Sequence, residues 1–228
     1  MKKIQVLMVL WGMSMMFSCA DLDNYDEPGE ALIGALIDQS TGEGFITEQP
    51  NGFRIQLAEI SWSDNPQLEY FWGKADGSFQ HTKLFPGTYE VTPVEGAFFP
   101  VEATTVKIYG KKEVEFKVIP YLHVKADVKR EGANLSVTYS ISQTKASDKI
   151  LDARVFVSDN PNVGSNMFNA DLSPLVNLSE IEDKEILSSS FSETITGLIE
   201  GKTYYVRVGA RTDNANKRYN FTNVIEVK

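Results

Sequence analysis

Four aromatic residues crowd one short segment of this chain: Trp62, Tyr70, Phe71 and Trp72 all lie between Ser61 and Gly73. Flat aromatic faces bind the C–H faces of sugar rings, and neighbouring amides and carboxylates fix the hydroxyls. Trp62 is bracketed by Ser61, Ser63, Asp64 and Asn65, a wet setting. Tyr70 and Trp72 stand two positions apart and so share one face of a strand. The rival reading is architectural, because a β-sandwich needs a large core aromatic and either tryptophan fits that role. A second polar group is Asp213-Asn214-Ala215-Asn216-Lys217-Arg218-Tyr219. It reads as a loop at one end of a sandwich. There, ligand contacts from Asp213, Asn214, Asn216 and Arg218 compete with a plain hairpin turn.

Other candidate chemistry is thinner. Asp159, Asn160, Asn162, Asn166, Asn169 and Asp171 bunch together, and calcium prefers such oxygen ligands. Asp159, Asn162 and Asp171 are the candidate ligands, but the spacing does not match an EF-hand, and turn chemistry explains it equally well. His81 lies near a turn and His123 falls on the polar face of a strand, so each reads as a solvated residue. Gly197-Leu198-Ile199-Glu200-Gly201-Lys202-Thr203 ends like a phosphate loop. It has one residue too few between its glycines and leads into a strand, so no helix N-terminus faces a phosphate. Neither G-x-S-x-G nor H-E-x-x-H occurs. Enzyme activity is not expected, although carboxylates are numerous enough to supply a glycosidase pair. No cofactor or metal is expected.

Composition narrows the field further. The 228 residues carry 22 Lys+Arg against 31 Asp+Glu, a formal charge of −9. An acidic chain lacks the cations that replace phosphate counterions, so no nucleic-acid partner is expected. One cysteine excludes an internal disulfide framework, and two histidines exclude His-rich metal chemistry.

The elements that must position these residues are strands. Phe53-Ile55-Leu57 alternate with Arg54 and Gln56. Val114-Phe116-Val118, Leu122-Val124-Ala126-Val128 and Leu135-Val137-Tyr139-Ile141 alternate likewise, and Tyr204-Val206-Val208-Ala210 alternate with Tyr205, Arg207 and Arg211. Strict alternation predicts half-buried strands with one wet face. Turn signals such as Thr41-Gly42, Asp76-Gly77, Pro86-Gly87 and Glu200-Gly201 punctuate them. The prediction is all-β, with two tandem β-sandwiches at 31–119 and 120–228. The boundary falls at Ile119-Pro120-Tyr121, where proline breaks the ladder. No Gly/Ser linker separates the modules, so they are expected to dock with limited freedom. The second module carries an insertion near 158–192. Inside it Ser179–Leu187 is the one helical candidate, with Ser179 and Glu182 in a capping-box pattern.

The N-terminus reads as an address. Lys2 and Lys3 precede fourteen mostly apolar residues, 4–17. That run is shorter than the roughly 20 needed to span a bilayer, so residues 1–18 read as a signal peptide. Met16-Phe17-Ser18-Cys19 resembles the lipobox of bacterial lipoproteins, with Met where Leu is usual, which implies acylation of Cys19. Cleavage there removes Lys2 and Lys3 and takes the charge from −9 to −11. Two or more acyl chains anchor stably where one does not. Residues 19–30 form an acidic tether that resembles the surface-export signal of Bacteroidota lipoproteins. The expected location is the outer membrane, held by the lipid anchor and exposed at the cell surface. The alternative is its periplasmic face.

Family resemblances follow from longer patterns. Gly34-Ala35-Leu36-Ile37-Asp38, Thr41-Gly42, Asp76-Gly77-Ser78-Phe79 and Leu84-Phe85-Pro86-Gly87-Thr88-Tyr89-Glu90-Val91 resemble the transthyretin-like, carboxypeptidase-regulatory-like sandwich. Leu198 to Arg211 resembles the E–F turn and F strand of a fibronectin type III domain, with Tyr204 as its corner tyrosine. The first strand has no lysine, which argues against the isopeptide bond of related pilin sandwiches, and the chain lacks the tail of enzymatic transthyretin relatives. The whole resembles a family of two-domain lipoproteins of gut Bacteroidota typically encoded beside SusC/SusD-like uptake pairs. That resemblance implies an accessory role in polysaccharide capture. The function expected is non-catalytic glycan binding by Trp62, Tyr70 and Trp72. The alternatives are a docking protein that never touches sugar and, more remotely, a surface hydrolase.

Overall fold

The computed structural model describes residues 26–146 and 148–228. The leader, Cys19 and the tether through Tyr25 lie outside the described residues. The expected all-β architecture is present. Among the described residues there are fifteen strands, one short α-helix and a single 3₁₀ turn.

The first module spans β1 (Glu30–Asp38), β2 (Arg54–Glu59), β3 (Leu68–Trp72), β4 (Ser78–Leu84), β5 (Gly87–Val94), β6 (Thr104–Ile108) and β7 (Lys111–Val118). They form two sheets, β4-β1-β7 and β3-β2-β5-β6. β1 is the central strand of the smaller sheet, antiparallel to β4 and parallel to β7 over eight residue pairs. The sheets clasp Leu32, Leu36, Phe53, Ile55, Leu57, Phe79, Val91 and Phe116. Gly34 is required at the centre of β1, because a Cβ there would stand 2.1 Å from the Val114 carbonyl and 2.4 Å from the Phe79 ring. The Asp76-Gly77 turn forms as read, with Gly77 at φ 81 and the Asp76 carboxylate accepting the Ser78 amide at 2.9 Å.

The second module spans β8 (His123–Glu131), β9 (Asn134–Ser142), β10 (Ile150–Ser158), β11 (Leu175–Asn177), α1 (Asp183–Ser188), β12 (Ser190–Ile195), β13 (Tyr204–Thr212), β14 (Tyr219–Phe221) and β15 (Ile225–Val227). Sheet β12-β9-β8 faces sheet β11-β10-β13-β14, with β15 also on β13. Leu135, Val137, Tyr139, Val155, Val157, Val206 and Val208 fill the space between them. The Ile199 amide donates to the Tyr204 hydroxyl at 3.3 Å, the corner expected of this fold. The first module has its own version, in which the Tyr89 hydroxyl donates to the Phe85 carbonyl at 2.9 Å.

Three local readings are corrected. The helix begins at Asp183, and Glu182 at its N-cap makes no side-chain capping bond. Ser179 bonds the Asn177 carboxamide instead, at 2.8 Å, so the capping box does not form. Asp183 meanwhile takes the Lys149 ammonium at 2.9 Å. His123 is not a free surface residue, because its Nε2 lies 2.7 Å from Asp38 Oδ2 in the first module. Arg207, expected on a wet strand face, is only 2% exposed. The outer face of β10 and β13 is covered by a third apolar cluster, Phe156, Val163, Tyr219 and Phe221 with Phe168 and Tyr205. The chain after β10 folds back over it.

The modules are joined by a polar seam. Arg207 donates to the carbonyls of Thr47 (3.0 Å), Thr222 (3.0 Å) and Val163 (3.3 Å), and its guanidinium lies 3.9 Å from the Phe221 ring centroid. Burial pushes that guanidinium down to about 10, with Glu48 opposing the shift. The Glu48 carboxylate receives the Ser165 amide and hydroxyl, each at 2.6 Å. Asn220 accepts the Leu122 amide and donates to the Ala97 carbonyl, and Tyr121 packs against both cores.

Two outcomes are expected here. Arg207→Ala strips three carbonyls, two of them buried, of a donor and leaves Glu48 with only the more weakly acting Arg218 beside it. Chemical denaturation should show a loss of about 3–5 kcal/mol. At Asp38, burial pushes the carboxyl up, but the Ser40 hydroxyl and amide and the His123 ring outweigh it and hold it below its ordinary 3.8. A carboxyl that is more acidic when folded contributes stability above its unfolded value and loses it as pH falls through the folded one. The stability advantage of the wild type over Asp38→Asn, read from urea melts, should therefore shrink as pH drops below about 4.

Candidate functional site

β3 is an edge strand, and its register on β2 sets what its outer face shows. Trp72 lies opposite Arg54, Tyr70 opposite Gln56, and Leu68 opposite Ala58. β5 continues the same rows with Val94, Thr92 and Glu90. Because side chains alternate across a strand, Leu57, Ile55 and Phe71 point into the sandwich while these residues point out. Tyr70 and Trp72 are 42% and 43% exposed.

Arg54 holds this face together. Its guanidinium carbon lies 4.4 Å from the Tyr70 ring centroid and 5.6 Å from that of Trp72. The cation between two aromatic faces is itself fixed by Glu95, whose Oε2 accepts from Nε at 2.7 Å. That bond raises the guanidinium above its ordinary value. Glu95 sits at φ 61, a left-handed conformation that favours glycine. The Arg54 pair therefore anchors a locally strained backbone. The Tyr70 hydroxyl donates to Gln56 Oε1 at 3.1 Å. The result is an exposed strip of two aromatic rings interleaved with one guanidinium, one carboxylate and one carboxamide. Such a strip can stack sugar rings and bond their hydroxyls.

The second module reaches this strip. Arg218, from the β13–β14 loop, places its guanidinium carbon 6.0 Å from the Trp72 ring centroid, and its Nε has no hydrogen-bond partner among the described residues. Its loop companions are otherwise engaged. Asn214 is 4% exposed. Its side chain bonds Thr212 and accepts the amides of Asn216 and Lys217, so it builds the turn and is not available to a ligand. Asp213 pairs with Lys217 at 2.9 Å, and Asn216 remains exposed.

Not every sequence candidate joins the strip. Phe71 faces inward, its ring centroid 6.2 Å from that of Phe79. Trp62, in the β2–β3 connection, is 86% exposed and lines a separate cavity with Glu59 and Glu69. The proposed calcium ligands also separate. Asp159 and Asp171 line one small cavity, without Asn162. The Lys202 ammonium already meets Asp159 at 2.7 Å and holds its carboxyl below the usual range. Asn169 spends its carboxamide oxygen on the amides of Asp171 and Leu172. Among the described residues no group of three or more His, Cys, Asp or Glu is placed to hold a metal. Conversely, Arg54, Gln56 and Glu95 were not singled out from the sequence. Arg54 and Gln56 were legible as the polar half of the Phe53-Ile55-Leu57 alternation. Pairing them with Tyr70 and Trp72 needed the β2–β3 register.

Two docked sandwiches with an aromatic strip on an outer sheet face define a class of modular, all-β protein. The chain belongs to the DUF3823 family. Residues 30–119 match the model described as Protein of unknown function (DUF3823) N-terminal domain, and residues 123–226 match Domain of unknown function (DUF3823_C). No curated protein matches the sequence. Among solved structures, a DUF3823 family protein from Bacteroides uniformis is 25% identical with a TM-score of 0.78, covering 88% of this chain and 99% of that one. A protein from the same organism, described as a candidate carbohydrate-binding protein, is 25% identical with a TM-score of 0.73, covering 87% and 98%. A Parabacteroides merdae member, at 20% identity and a TM-score of 0.71, covers 89% and 100% and shares the fold.

With Lys202 already on Asp159, millimolar calcium is expected to leave the melting temperature unchanged. A bound ion at a hundred times its Kd would instead add about 2.7 kcal/mol.

Proposed function

We propose that this protein is a non-catalytic, glycan-binding lipoprotein of the outer membrane, displayed at the cell surface, that holds polysaccharide for a SusC/SusD-like uptake complex. The observation that carries this reading is the exposed strip Tyr70–Arg54–Trp72 with Gln56 and Glu95 beside it. Exposed aromatics interleaved with fixed polar groups suit a carbohydrate chain better than a protein core or a compact metabolite. The related B. uniformis structure described as a candidate carbohydrate-binding protein lends support. The address rests on the sequence at Met16–Cys19 and on the acidic residues behind it.

The test is isothermal calorimetry and affinity electrophoresis of the full chain against a polysaccharide panel. Binding to at least one glycan is expected, weakened about tenfold or more by Tyr70→Ala and by Trp72→Ala, since a lost stacking face costs on the order of 1.4 kcal/mol. Retention of full affinity by both variants, or no glycan bound at all, would overturn the reading. Recovery of transporter components in a pull-down without any sugar affinity would favour docking instead. The address is checked by metabolic palmitate labelling, which Cys19→Ser should abolish.

A further inference from the structure

Where the β3 edge of one first-module sheet faces the β4 edge of the other, the β2–β3 connection folds beside a cavity of about 290 Å³. Trp62 and Phe85, 86% and 49% exposed, form aromatic walls at its mouth. Glu59, Glu69 and Lys83 supply the charge around it. Glu59 pairs with Tyr89 across the β2–β5 ladder, and Glu69 with Leu57 across β2–β3. Glu59 takes the inward parity of β2, beside Ile55 and Leu57, and is half-buried, so its carboxylate needs a partner or water there. Glu69, at the inward parity of the edge strand β3, and Lys83 are exposed and stand at the rim of the cavity. Among the described residues neither glutamate, nor Lys83, forms an ion pair.

The surroundings are shaped to admit these groups. A Cβ at Gly87 would stand 2.8 Å from Glu59 Oε1 and 2.9 Å from Ser61 Oγ, so glycine is what lets the carboxylate lie over the strand. The Tyr89 hydroxyl is already committed to the Phe85 carbonyl. Its phenol is pushed up to about 12 by burial and then by Glu59 and Glu69, so both carboxylates act on the cavity floor.

We propose that this cavity is a second saccharide site that takes one uncharged sugar ring, stacked on Trp62 with its hydroxyls bonded by Glu59, Glu69 and Lys83. The volume lies at the lower end of ligand pockets, about 300 Å³ and upward, which suits one ring and not a length of polymer. Two carboxylates against one ammonium leave the cavity net negative, which repels uronates and sulfated sugars. The proposal rests on the glycan-binding reading above but uses none of the residues of the Tyr70–Trp72 strip.

Of the three tryptophans, Trp11, Trp62 and Trp72, Trp11 belongs to the leader that the proposed processing removes. The lipidated chain from Cys19 onward carrying Trp72→Phe, in detergent, therefore reports Trp62 alone by fluorescence. The probes are neutral trisaccharides of gluco, manno, galacto and xylo configuration, with trigalacturonate as the charged comparison. At least one neutral trisaccharide is expected to change Trp62 emission saturably while trigalacturonate does not. Glu69→Gln, which keeps the side-chain shape, should weaken that binding about tenfold. Silence from every neutral probe, an equal response to trigalacturonate, or indifference to Glu69→Gln overturns the proposal. If polysaccharide binding depends on Tyr70 and Trp72 while Trp62 stays silent, only this second site falls. If the wild type binds no glycan, both readings fall.

Discussion

One buried guanidinium determines how the two halves of this protein meet. Arg207 bonds carbonyls from three separate segments: the loop after β1 in the first module, the chain that folds back after β10, and the stretch after β14. A charge removed from water is costly unless its donors are occupied and a counter-charge is near. Both terminal nitrogens of Arg207 are occupied, while its Nε has no partner among the described residues. The counter-charge is Glu48, itself buried and held by Ser165. The loop bearing Thr47 and Glu48 and the segment bearing Val163 and Ser165 must therefore arrive together. Neither module can satisfy Arg207 by itself, which makes the seam part of the fold.

The same seam explains why the candidate binding surface is composite. The β13–β14 loop is anchored internally by Asn214 and leads into Tyr219, whose hydroxyl meets the Asp152 carboxylate at 2.6 Å. With that anchoring, Arg218 is carried to the flank of Trp72. A ligand lying on the strip would sense the angle between modules, because one of its flanking cations belongs to the second module and the rest to the first. Trp62 and its cavity depend only on first-module elements. The two surfaces are thus mechanically different although one short stretch of chain, Ser61 to Gly73, contributes to both.

How much of this was legible in the sequence depended on the range of the interaction. Alternation reported strand faces well wherever only one side was covered, as in β9, where Leu135, Val137, Tyr139 and Ile141 are all buried and their neighbours exposed. It failed at β13, where Arg207 has the parity of a wet residue yet lies under the chain after β10. Periodicity records a strand's own two faces and carries no information on what a distant loop lays over them. His123 failed for the same reason, since its partner Asp38 is 85 positions away. Short-range chemistry did better. The Asp76-Gly77 turn and the Tyr204 corner are formed by residues within a few positions of each other. The capping box at Ser179 was the exception, because the helix begins at Asp183 with Glu182 as its N-cap, which leaves Ser179 outside the helix and turned back onto Asn177. The aromatic strip was half legible: its rings stand together in sequence, but the arginine between them is contributed through register.

The parallel pairing of β1 with β7 has a mechanical consequence. The chain enters the first module at the start of β1 and leaves it at the end of β7, and because the strands run the same way, those points lie at opposite ends of the paired segment. A pull applied through Glu30 and Val118 would slide the strands past each other. All eight residue pairs from Ala31–Lys111 to Asp38–Val118 would share the load at once, instead of opening one rung at a time as a pull on an antiparallel hairpin does. The module is thus wired to resist tension along the chain by shear, and Gly34, which lets β1 lie close against Val114 at the middle of that ladder, sits where the shear is borne.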